Sequence, residues 1–439
     1  MWGNSHKQPT TYKGTRLTDI FGKKSISTIQ EIIKHRLCIS CGACVSAAPL
    51  AAMKMVYDEN QGIFVPKIID QDGISGAGME FAVCPGKGYP LKQIARDLYG
   101  TVKHETYELG RYRYAVAAHI NKIDILENAS SGGVMSGIAL YLMENGLIQG
   151  ATATRFIYGP GGPKTEVFIA RNKDDLLSSQ GSKYCPTTTN ELIRECIKTG
   201  GKYLFIGTPC QVGALRLEIR ENQELAKIFP YTMANFCGGY RNFHWLNEIA
   251  ISQGANPSKI KYFRFRGGGQ PGTMLIRTNA GNTVSHAYPD YVRLSLIPKQ
   301  KRCWYCVDAT GELADFSCGD AWLKRYQGDR YPWSIILARS RFAEEIVRAM
   351  TENNWLQTES ISHEEICRSQ KSNITSKLYR QHGRMRVSRL LGIKIPDWDV
   401  ELKSDEPRYF YELFVLTGKT RLGVRLQKIR LWLNKLLNR

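Results

Sequence analysis

Three cysteines recur at intervals of three residues in the stretch Cys38-Ile-Ser-Cys41-Gly-Ala-Cys44. Steps this short wrap the backbone round a single centre, so that all three thiol groups can meet at one point. The regular spacing favours an iron–sulfur cluster, although four cysteines also suit a tetrahedral zinc ion. A fourth thiol must therefore reach the same point from elsewhere in the chain.

Full bacterial ferredoxin motifs continue with a cysteine before proline, and here that position is Ala48. In two-cluster ferredoxins the corresponding cysteine serves the other cluster. Alanine there removes no ligand from the first cluster and argues against a further amino-terminal cluster. Cys84, which precedes Pro85, is the obvious distant candidate. The sequence therefore predicts one 4Fe–4S cluster with the ligands Cys38, Cys41, Cys44 and Cys84, and leaves zinc as the alternative.

Another cysteine stands at a strand-to-helix turn. Residues 203–206 are a short apolar run of strand-forming residues, which Gly207-Thr-Pro209 ends abruptly. A helix is predicted to begin at Gln211. Cys210 therefore lies near backbone N–H groups and a positive helix end, both of which favour the thiolate.

Three more cysteines occur in segments that are predicted to be turns or loops. Cys237 precedes two glycines, and Cys303 and Cys306 stand in Arg302-Cys-Trp-Tyr-Cys306. With Cys210 they supply four thiolates from three separated loops. That arrangement suits a metal or iron–sulfur centre better than an isolated nucleophile.

The region from about 112 to 345 is predicted to form one α/β domain. In it, Asn128-Ala-Ser-Ser-Gly-Gly-Val134 is a small turn that feeds a helix from Met135 to Asn145. N–H groups at a helix start are what a phosphate-bearing cofactor requires, and a tight turn with an N-cap serine is the alternative. The strands are predicted at 113–118, 203–206, 231–236 and 262–266, with a hairpin of 274–278 and 283–287.

Two further polar positions are candidates for ligand contacts. Lys183, in the loop Gln180-Gly-Ser-Lys-Tyr184, can pair with a phosphate or a flavin, whereas a solvated lysine is the default. Asp320 follows a glycine and precedes Ala-Trp322. It can meet a ribose hydroxyl or a flavin ring, and N-capping of a helix is the structural alternative.

Composition bounds the setting. Twelve cysteines without a recognisable export signal indicate a reducing compartment, so a cytoplasmic location is expected. The net charge of +20 suits an anionic cofactor, an acidic partner such as ferredoxin or an anionic lipid, besides simple solubility. No nucleic-acid-binding motif is present, and nucleic acid is not expected as a partner. Residues 419–439 form a basic amphipathic pattern that predicts membrane-surface or partner contact, or packing on the chain's own globular part.

With these residues in hand, the sequence resembles the beta-subunit family of coenzyme F420-reducing hydrogenases and dehydrogenases, where F420 is a deazaflavin cofactor. The resemblance runs from about Cys38 to Trp322. The family's relatives include plant 7-hydroxymethyl chlorophyll a reductase. It rests on the cysteine blocks above together with Ala129-Ser-Ser-Gly-Gly-Val134, Gly181-Ser-Lys-Tyr184, Gly207-Thr-Pro-Cys-Gln211 and Ala314-Asp-x3-Gly-Asp-Ala-Trp322. Similar bacterial proteins resemble members of surface-polysaccharide pathways.

The resemblance implies FAD and two 4Fe–4S clusters in an α/β (α+β) flavin reductase fold. It assigns the second cluster to Cys210, Cys237, Cys303 and Cys306, and Lys183 and Tyr184 are candidates for the catalytic proton donor. The flavin contacts that it implies are Ser130, Ser131, Gly132, Gly133, Ser182, Lys183 and Asp320. The corresponding domains are a basic leader at 1–30, a ferredoxin-like domain at 31–100, the reductase domain at 101–345 and a basic helical extension at 346–439.

The expected activity follows from these cofactors, since clusters carry single electrons and flavin carries two. Electrons from a ferredoxin-like donor would reach FAD and then an organic substrate or deazaflavin, or flow in reverse. Two alternatives stay open. One is a non-catalytic electron-transfer subunit of a larger redox complex, and the other is a zinc-stabilised binding module of a polysaccharide assembly.

Overall fold

The computed structural model describes residues 26–70, 74, 76–293 and 297–403. The strands, in chain order, are β1 (Met53–Asp58), β2 (Ile63–Ile68), β3 (Gly88–Tyr89), β4 (His104–Thr106), β5 (Gly110–Tyr112), β6 (Tyr114–Ile120), β7 (Gly150–Ile157), β8 (Lys164–Ala170), β9 (Tyr203–Gly207), β10 (Tyr231–Asn235), β11 (Ile260–Arg264), β12 (Thr273–Thr278), β13 (Thr283–Ala287), β14 (Phe316–Asp320), β15 (Ser334–Ala338), β16 (Leu356–Ser360) and β17 (Asp397–Trp398).

The α-helices alternate with these strands over much of the chain. They are α1 (Ile29–Lys34), α2 (Ala43–Ala47), α3 (Met79–Ala82), α4 (Leu91–Tyr99), α5 (Ile123–Asn128), α6 (Val134–Glu144), α7 (Lys173–Ser178), α8 (Leu192–Thr199), α9 (Pro209–Glu221), α10 (Leu225–Ile228), α11 (Phe243–Ser252), α12 (Lys301–Trp304), α13 (Arg341–Glu352), α14 (His363–Ser369), α15 (Lys371–Ile374) and α16 (Gln381–Leu390).

Eight strands form one mixed sheet in the order β16-β6-β15-β14-β10-β9-β7-β8. The inner strands β7, β9, β10 and β14 run parallel. The flanking pairs are antiparallel. Because parallel strands end at the same edge of a sheet, the residues after β9, β10 and β14 meet at that edge, as ligand-binding residues do in other α/β sheets. The mixed α/β class predicted from the sequence is confirmed.

The sheet is covered on both faces, because successive side chains of a strand point to opposite sides. In β9, Phe205 packs with Val212 and Leu215 of α9 in one core. Its neighbour Leu204 packs with Ile138 of α6 and Val347 of α13 in a second core. Helix α9 therefore lies on one face of the sheet, and α6 and α13 lie on the other.

Smaller sheets surround this centre. The hairpin β1–β2 follows the first cysteine run, β11–β13 form a three-stranded antiparallel sheet, and β3 pairs with β17. Within the described residues no helix is both long and apolar enough to cross a bilayer. Residues 1–25 of the predicted leader 1–30 and the basic segment 419–439 lie outside the described residues, and the expectations for them stay predictions.

Several sequence expectations differ from the structure at element ends. Helix α9 begins at Pro209 rather than Gln211, because Thr208 and Gln211 form a capping box and proline is favoured at the first helical position. The central sheet also continues beyond residue 345, since β16 pairs with β6 along its length. The domain boundaries themselves stay a prediction.

Candidate functional site

The cysteines at 210, 237, 303 and 306 meet at the carboxyl edge of the parallel strands. Cys210 is the second residue of α9, and Cys237 follows β10. Cys303 lies in α12 and Cys306 just beyond it. All four line one small cavity of about 20 Å³. The structure thus brings together the four residues that the sequence analysis grouped, and we call them the inner tetrad.

A buried lysine and a buried arginine complete the lining of this small cavity. Lys377 is 3% exposed. Its Nζ lies 3.3 Å from Cys306 Sγ and donates to the backbone oxygen of Asp308 at 2.6 Å. Burial acts to lower the pKa of Lys377, but the inner cysteines, Cys306 above all, and the carboxylate of Asp308 raise it above its usual value. A permanent positive charge therefore stands beside the inner tetrad.

The amino-terminal cysteines form a second group, the outer tetrad. Cys38 and Cys41 lie in the loop before α2, Cys44 lies in α2, and Cys84 follows α3. Ser40 has a left-handed backbone with φ 61°, and its N–H donates to Cys38 Sγ at 3.4 Å. The thiols of this group act on one another electrostatically. The short spacing therefore wraps the chain round one point, as expected.

Burial raises the pKa of most of these thiols. It lifts Cys210 and Cys38 to about 12 and Cys303 to about 11, with neighbouring cysteines adding to the effect. For the Cys210 thiol by itself, burial outweighs the groups that lower its pKa, which are the Thr208 hydroxyl and the Arg302 guanidinium. A cation that binds thiolates must therefore displace protons here, as is general for metal–thiolate sites.

The spacing of the thiols separates zinc from a larger cluster. Four sulfurs bound to one zinc at 2.3 Å lie about 3.8 Å apart. Within the described residues, the group of three Cys, His, Asp or Glu side chains whose ligand atoms all lie within 4.8 Å of one another is Glu108, His363 and Cys367. No three thiols of either tetrad meet that limit. Both tetrads are therefore wider than a single zinc ion requires.

The two tetrads are directly connected. The guanidinium of Arg302, the residue before Cys303, donates to the backbone oxygen of Pro85 at 3.1 and 2.7 Å. Pro85 follows Cys84 of the outer tetrad. Tyr240 lies near both groups. Burial raises the pKa of its hydroxyl, and Cys303 and Cys210 of the inner tetrad and Cys38 of the outer tetrad raise it further. Ile39 and Tyr240 pack in the same small apolar cluster as Cys41 and Cys210.

A larger cavity of about 560 Å³ opens beside the inner tetrad. Cys237 lines both cavities. Most of the residues predicted to contact a cofactor line the large one, namely Ser130, Ser131, Gly133, Ser182, Lys183 and Asp320, and so does Tyr184, a predicted proton donor. Gly132 does not line it. A Cβ there would come within 2.5 Å of the Ala118 backbone oxygen, so this glycine lets the turn pack against β6.

The serine–glycine turn holds the start of α6 at the cavity. Gly133 is the N-cap in a left-handed conformation with φ 70°, and no side chain caps the helix. The N-cap serine alternative is therefore wrong. Ser130 Oγ donates to the Arg266 backbone oxygen and accepts from Ser182 N, both at 3.1 Å. Ser131 Oγ donates to Trp333 O at 3.0 Å. The hydroxyl groups shape the turn, and the first residues of α6 line the cavity.

Asp320 is engaged by a residue that the sequence analysis missed. Its Oδ2 accepts from Arg266 Nη1 at 2.6 Å. Arg266 is 2% exposed, also donates to Ser130 O at 2.8 Å and lies over the Trp322 ring. Asp320 ends β14 and does not cap a helix, so that alternative is wrong. The Arg266–Asp320 pair forms a fixed wall of the cavity.

Lys183 is half-buried in the cavity lining. Its ammonium group donates to the backbone oxygens of Ser179 and Gln180, just beyond α7. Burial lowers the pKa of Lys183 to about 7. The adjacent Tyr184 packs against Phe265. A lysine with this pKa changes its charge near neutral pH, which a surface lysine does not.

The mixed sheet, the two cysteine tetrads and the polar cavity beside them define an α/β protein with two candidate metal centres next to a ligand cavity. Two family models, both described as "Coenzyme F420 hydrogenase/dehydrogenase, beta subunit", refine this. The model of the amino-terminal part matches residues 115–194, and the model of the carboxyl-terminal part matches residues 200–364. Together they cover more than half of the chain, which therefore belongs to this family, and the resemblance seen in the sequence is confirmed. The outer tetrad lies before the matched residues.

Named relatives agree with this membership. The chain is 27% identical over 347 residues to the coenzyme F420-dependent sulfite reductase of Methanocaldococcus jannaschii, a match of 76% of this chain and 49% of that protein. It is 26% identical over 266 residues to the coenzyme F420 hydrogenase subunit beta of Methanococcus voltae, covering 57% of this chain and 86% of that one. The chain thus spans about half the length of the sulfite reductase that it matches.

A solved structure shares the fold. A chain of the F420-reducing NiFe hydrogenase complex from Methanosarcina barkeri superposes with a TM-score of 0.53 at 20% identity. The match covers 67% of this chain and 98% of that one. Membership of the family supports an electron-transferring oxidoreductase.

Proposed function

We propose that this chain is an iron–sulfur flavoprotein oxidoreductase. The outer and inner tetrads each hold a 4Fe–4S cluster, and the large cavity holds FAD. The observation that carries the proposal is Cys237, which lines both the small cavity enclosed by the inner tetrad and the large cavity. When bound, such clusters exchange single electrons and a flavin exchanges two, so the pair links one-electron donors to hydride chemistry.

The residues present fit a cluster at each tetrad. Eight buried or half-buried thiols stand in two groups of four, and in neither group do three sulfurs all lie within 4.8 Å of one another. Lys377 stabilises negative charge on the inner thiolates, and the N–H of Gly239 donates to Cys237 Sγ at 3.3 Å. Hydrogen bonds and charges of this kind are how a protein sets the potential of such a site.

The large cavity fits a dinucleotide. Its volume of about 560 Å³ lies in the usual range for ligand pockets. The uncapped start of α6 offers N–H groups and a positive dipole to a pyrophosphate. Lys183 pairs with an anionic group or delivers a proton near neutral pH. Tyr184 is the second candidate for proton delivery. Arg266 and Asp320 keep the opposite wall in place.

The electron donor and the acceptor are proposed from chemistry. The net charge of +20 favours capture of an acidic carrier such as ferredoxin, an attraction that salt weakens. The acceptor is an organic substrate or a deazaflavin, and the names of the relatives favour coenzyme F420 as the first compound to test. A role in surface-polysaccharide synthesis stays a prediction, as does membrane or partner contact through residues 419–439.

Analysis of anaerobically isolated protein tests the proposal. About eight irons, about eight acid-labile sulfides and one FAD per chain are expected, with a brown colour that bleaches on reduction. A colourless protein with zinc bound only by sulfur would support the zinc-stabilised binding module instead. Full cofactor content without turnover of reduced F420 or ferredoxin would favour a subunit that only relays electrons, as the hydrogenase complex among the structural matches suggests.

A further inference from the structure

Three potential metal ligands converge away from both cavities. Cys367 Sγ lies 3.4 Å from His363 Nε2. Glu108 Oε2 lies 3.8 Å from the same nitrogen. All three ligand atoms lie within 4.8 Å of one another. Nitrogen, sulfur and oxygen ligands bound tetrahedrally to one zinc ion lie about 3.4 to 3.6 Å apart, so small side-chain movements would bring the three ligand atoms to the dimensions of such a site.

Two of the ligands are carried on one helical face. His363 and Cys367 are the first and fifth residues of α14. Residues four apart lie one turn above the other, which directs both side chains to the same side. A capping box between Ser362 and Glu365 fixes the first turn of this helix. The relative positions of the imidazole and the thiol are therefore set by regular secondary structure.

The carboxylate is held independently. Glu108 lies in the turn between β4 and β5, and the next residue, Leu109, accepts a hydrogen bond from buried Arg339 at 2.8 Å. The hydroxyl of Tyr379 donates to Glu108 Oε1. This leaves Oε2 directed at His363. A second hydrogen bond to a metal-binding carboxylate is the usual supporting contact in metal sites.

The donor set suits one class of ion. An imidazole, a thiol and a carboxylate together match zinc, which accepts nitrogen, sulfur and oxygen ligands in tetrahedral geometry. The His363 and Glu108 side chains are 29% and 23% exposed, so a water molecule can reach a fourth position. We propose that Glu108, His363 and Cys367 bind a zinc-type divalent transition metal that fastens α14 to the β4–β5 turn.

The site would act on the cavity wall through α14. Immediately after the metal-binding turns, the side chains of Ser369 and Gln370 donate to the Asp320 backbone oxygen at 3.1 and 2.7 Å. A metal that anchors the start and middle of α14 therefore also steadies the strand end that carries Asp320. This role is separate from the cysteine tetrads.

Zinc binding by the full-length chain tests the site. The protein is isolated anaerobically, dialysed against zinc with a weak competing chelator, and assayed for bound zinc and for its sulfur and nitrogen neighbours by zinc X-ray absorption. About one zinc per chain with one sulfur and the remaining neighbours nitrogen or oxygen is expected. His363→Gln, Cys367→Ser and Glu108→Gln should each weaken zinc affinity at least tenfold.

A neighbouring carboxylate supplies the control. Glu364 is exposed on the same helix and is not part of the triad, so Glu364→Gln should bind zinc as the unchanged chain does. Zinc should also raise the Tm of the unchanged chain and of this control, and raise that of the Glu108→Gln chain by clearly less. Equal zinc content and Tm in all variants overturns the proposal. So does a zinc environment made of sulfur alone, which would place the ion in a tetrad.

Discussion

The ammonium nitrogen of Lys377 lies 3.3 Å from the sulfur of Cys306. The contact joins residues 71 positions apart and is sealed from water, since Lys377 is only 3% exposed. A charge in such surroundings is screened weakly by solvent and by salt. Lys377 therefore stabilises the more negative, reduced state of whatever group the inner tetrad holds.

Replacing Lys377 with methionine should lower the midpoint potential of the inner cluster. Removing a positive charge makes addition of an electron less favourable, and two unit charges at this distance interact by about 5 kcal/mol at an effective dielectric constant of 20. Because charge is spread over the whole cluster, we expect a shift of about 50 to 100 mV to more negative values. Redox titration followed by electron paramagnetic resonance measures it.

Two variants accompany that measurement. Lys377→Arg keeps the charge and should retain most of the potential. Lys371→Met removes an exposed lysine from the preceding helix and should leave the potential unchanged. An unaltered potential in Lys377→Met would show that the inner tetrad does not hold a redox cluster next to this lysine.

The tetrads should lose their iron separately. Cys41 belongs to the outer tetrad and Cys303 to the inner one, so Cys41→Ser and Cys303→Ser should each remove about half of the iron and acid-labile sulfide. FAD should stay bound in the Cys41 variant, because Cys41 does not line the large cavity. Cys196→Ser, a buried cysteine of α8, should keep all of the iron. Retention of full iron in Cys41→Ser would show that the outer ligands are misassigned.

The parts of the site that the sequence revealed are local ones. A strand that ends in Gly-Thr-Pro predicts β9 and the turn at Cys210, and the three-residue spacing predicts the wrap of Cys38 to Cys44. Short-range chemistry fixes these features, so a single stretch of chain contains the whole signal. Pairing of the eight cysteines into two groups also followed from their spacing and from family resemblance.

What the sequence did not reveal depends on distant contacts. Nothing in the sequence around Lys377 marks it as buried, since it lies in a charged helical stretch. Its partner, Cys306, is 71 residues away in the chain. Asp320 was expected to meet a cofactor, and its pairing with Arg266 arises only when the three-stranded sheet packs beside β14. The strand β16 lies in a region that the sequence predicted to be helical. The local sequence did not reveal it because the strand is formed by pairing with β6, more than 200 residues away.

Stability should depend on pH through Lys183. Burial lowers its folded-state pKa to about 7, so between about pH 7 and 10.5 the unfolded chain binds more protons. Below pH 7 the buried ammonium group lowers the free energy of unfolding, and this loss of stability disappears as the pH rises from about 7 to 10.5. Relative to Lys183→Met, the unchanged chain should therefore gain a few degrees of Tm between pH 6 and pH 9.

Only the change of this Tm difference with pH tests the pKa of Lys183. The absolute difference also contains the loss of the hydrogen bonds to Ser179 and Gln180 in the methionine variant. Lys202→Met, at an exposed position beside β9, should show no change in slope. Calorimetric scans at several pH values measure the difference. Parallel Tm curves for the unchanged chain and the Lys183 variant would mean that Lys183 keeps an ordinary pKa.

Breaking the Arg266–Asp320 pair should destabilise the fold and weaken FAD binding in the large cavity. Arg266→Met removes donors to Asp320, Ser130 and Pro271, and it leaves a carboxylate without its partner. Losing one member of a buried pair costs about 3 kcal/mol or more, since the remaining charge stays poorly solvated. Urea unfolding should show this loss, and FAD affinity should fall because Ser130 positions the start of α6. Arg277→Met, at an exposed position of β12, should change neither quantity. A fully stable Arg266→Met chain with normal flavin content would show that the pair does not support the cavity wall.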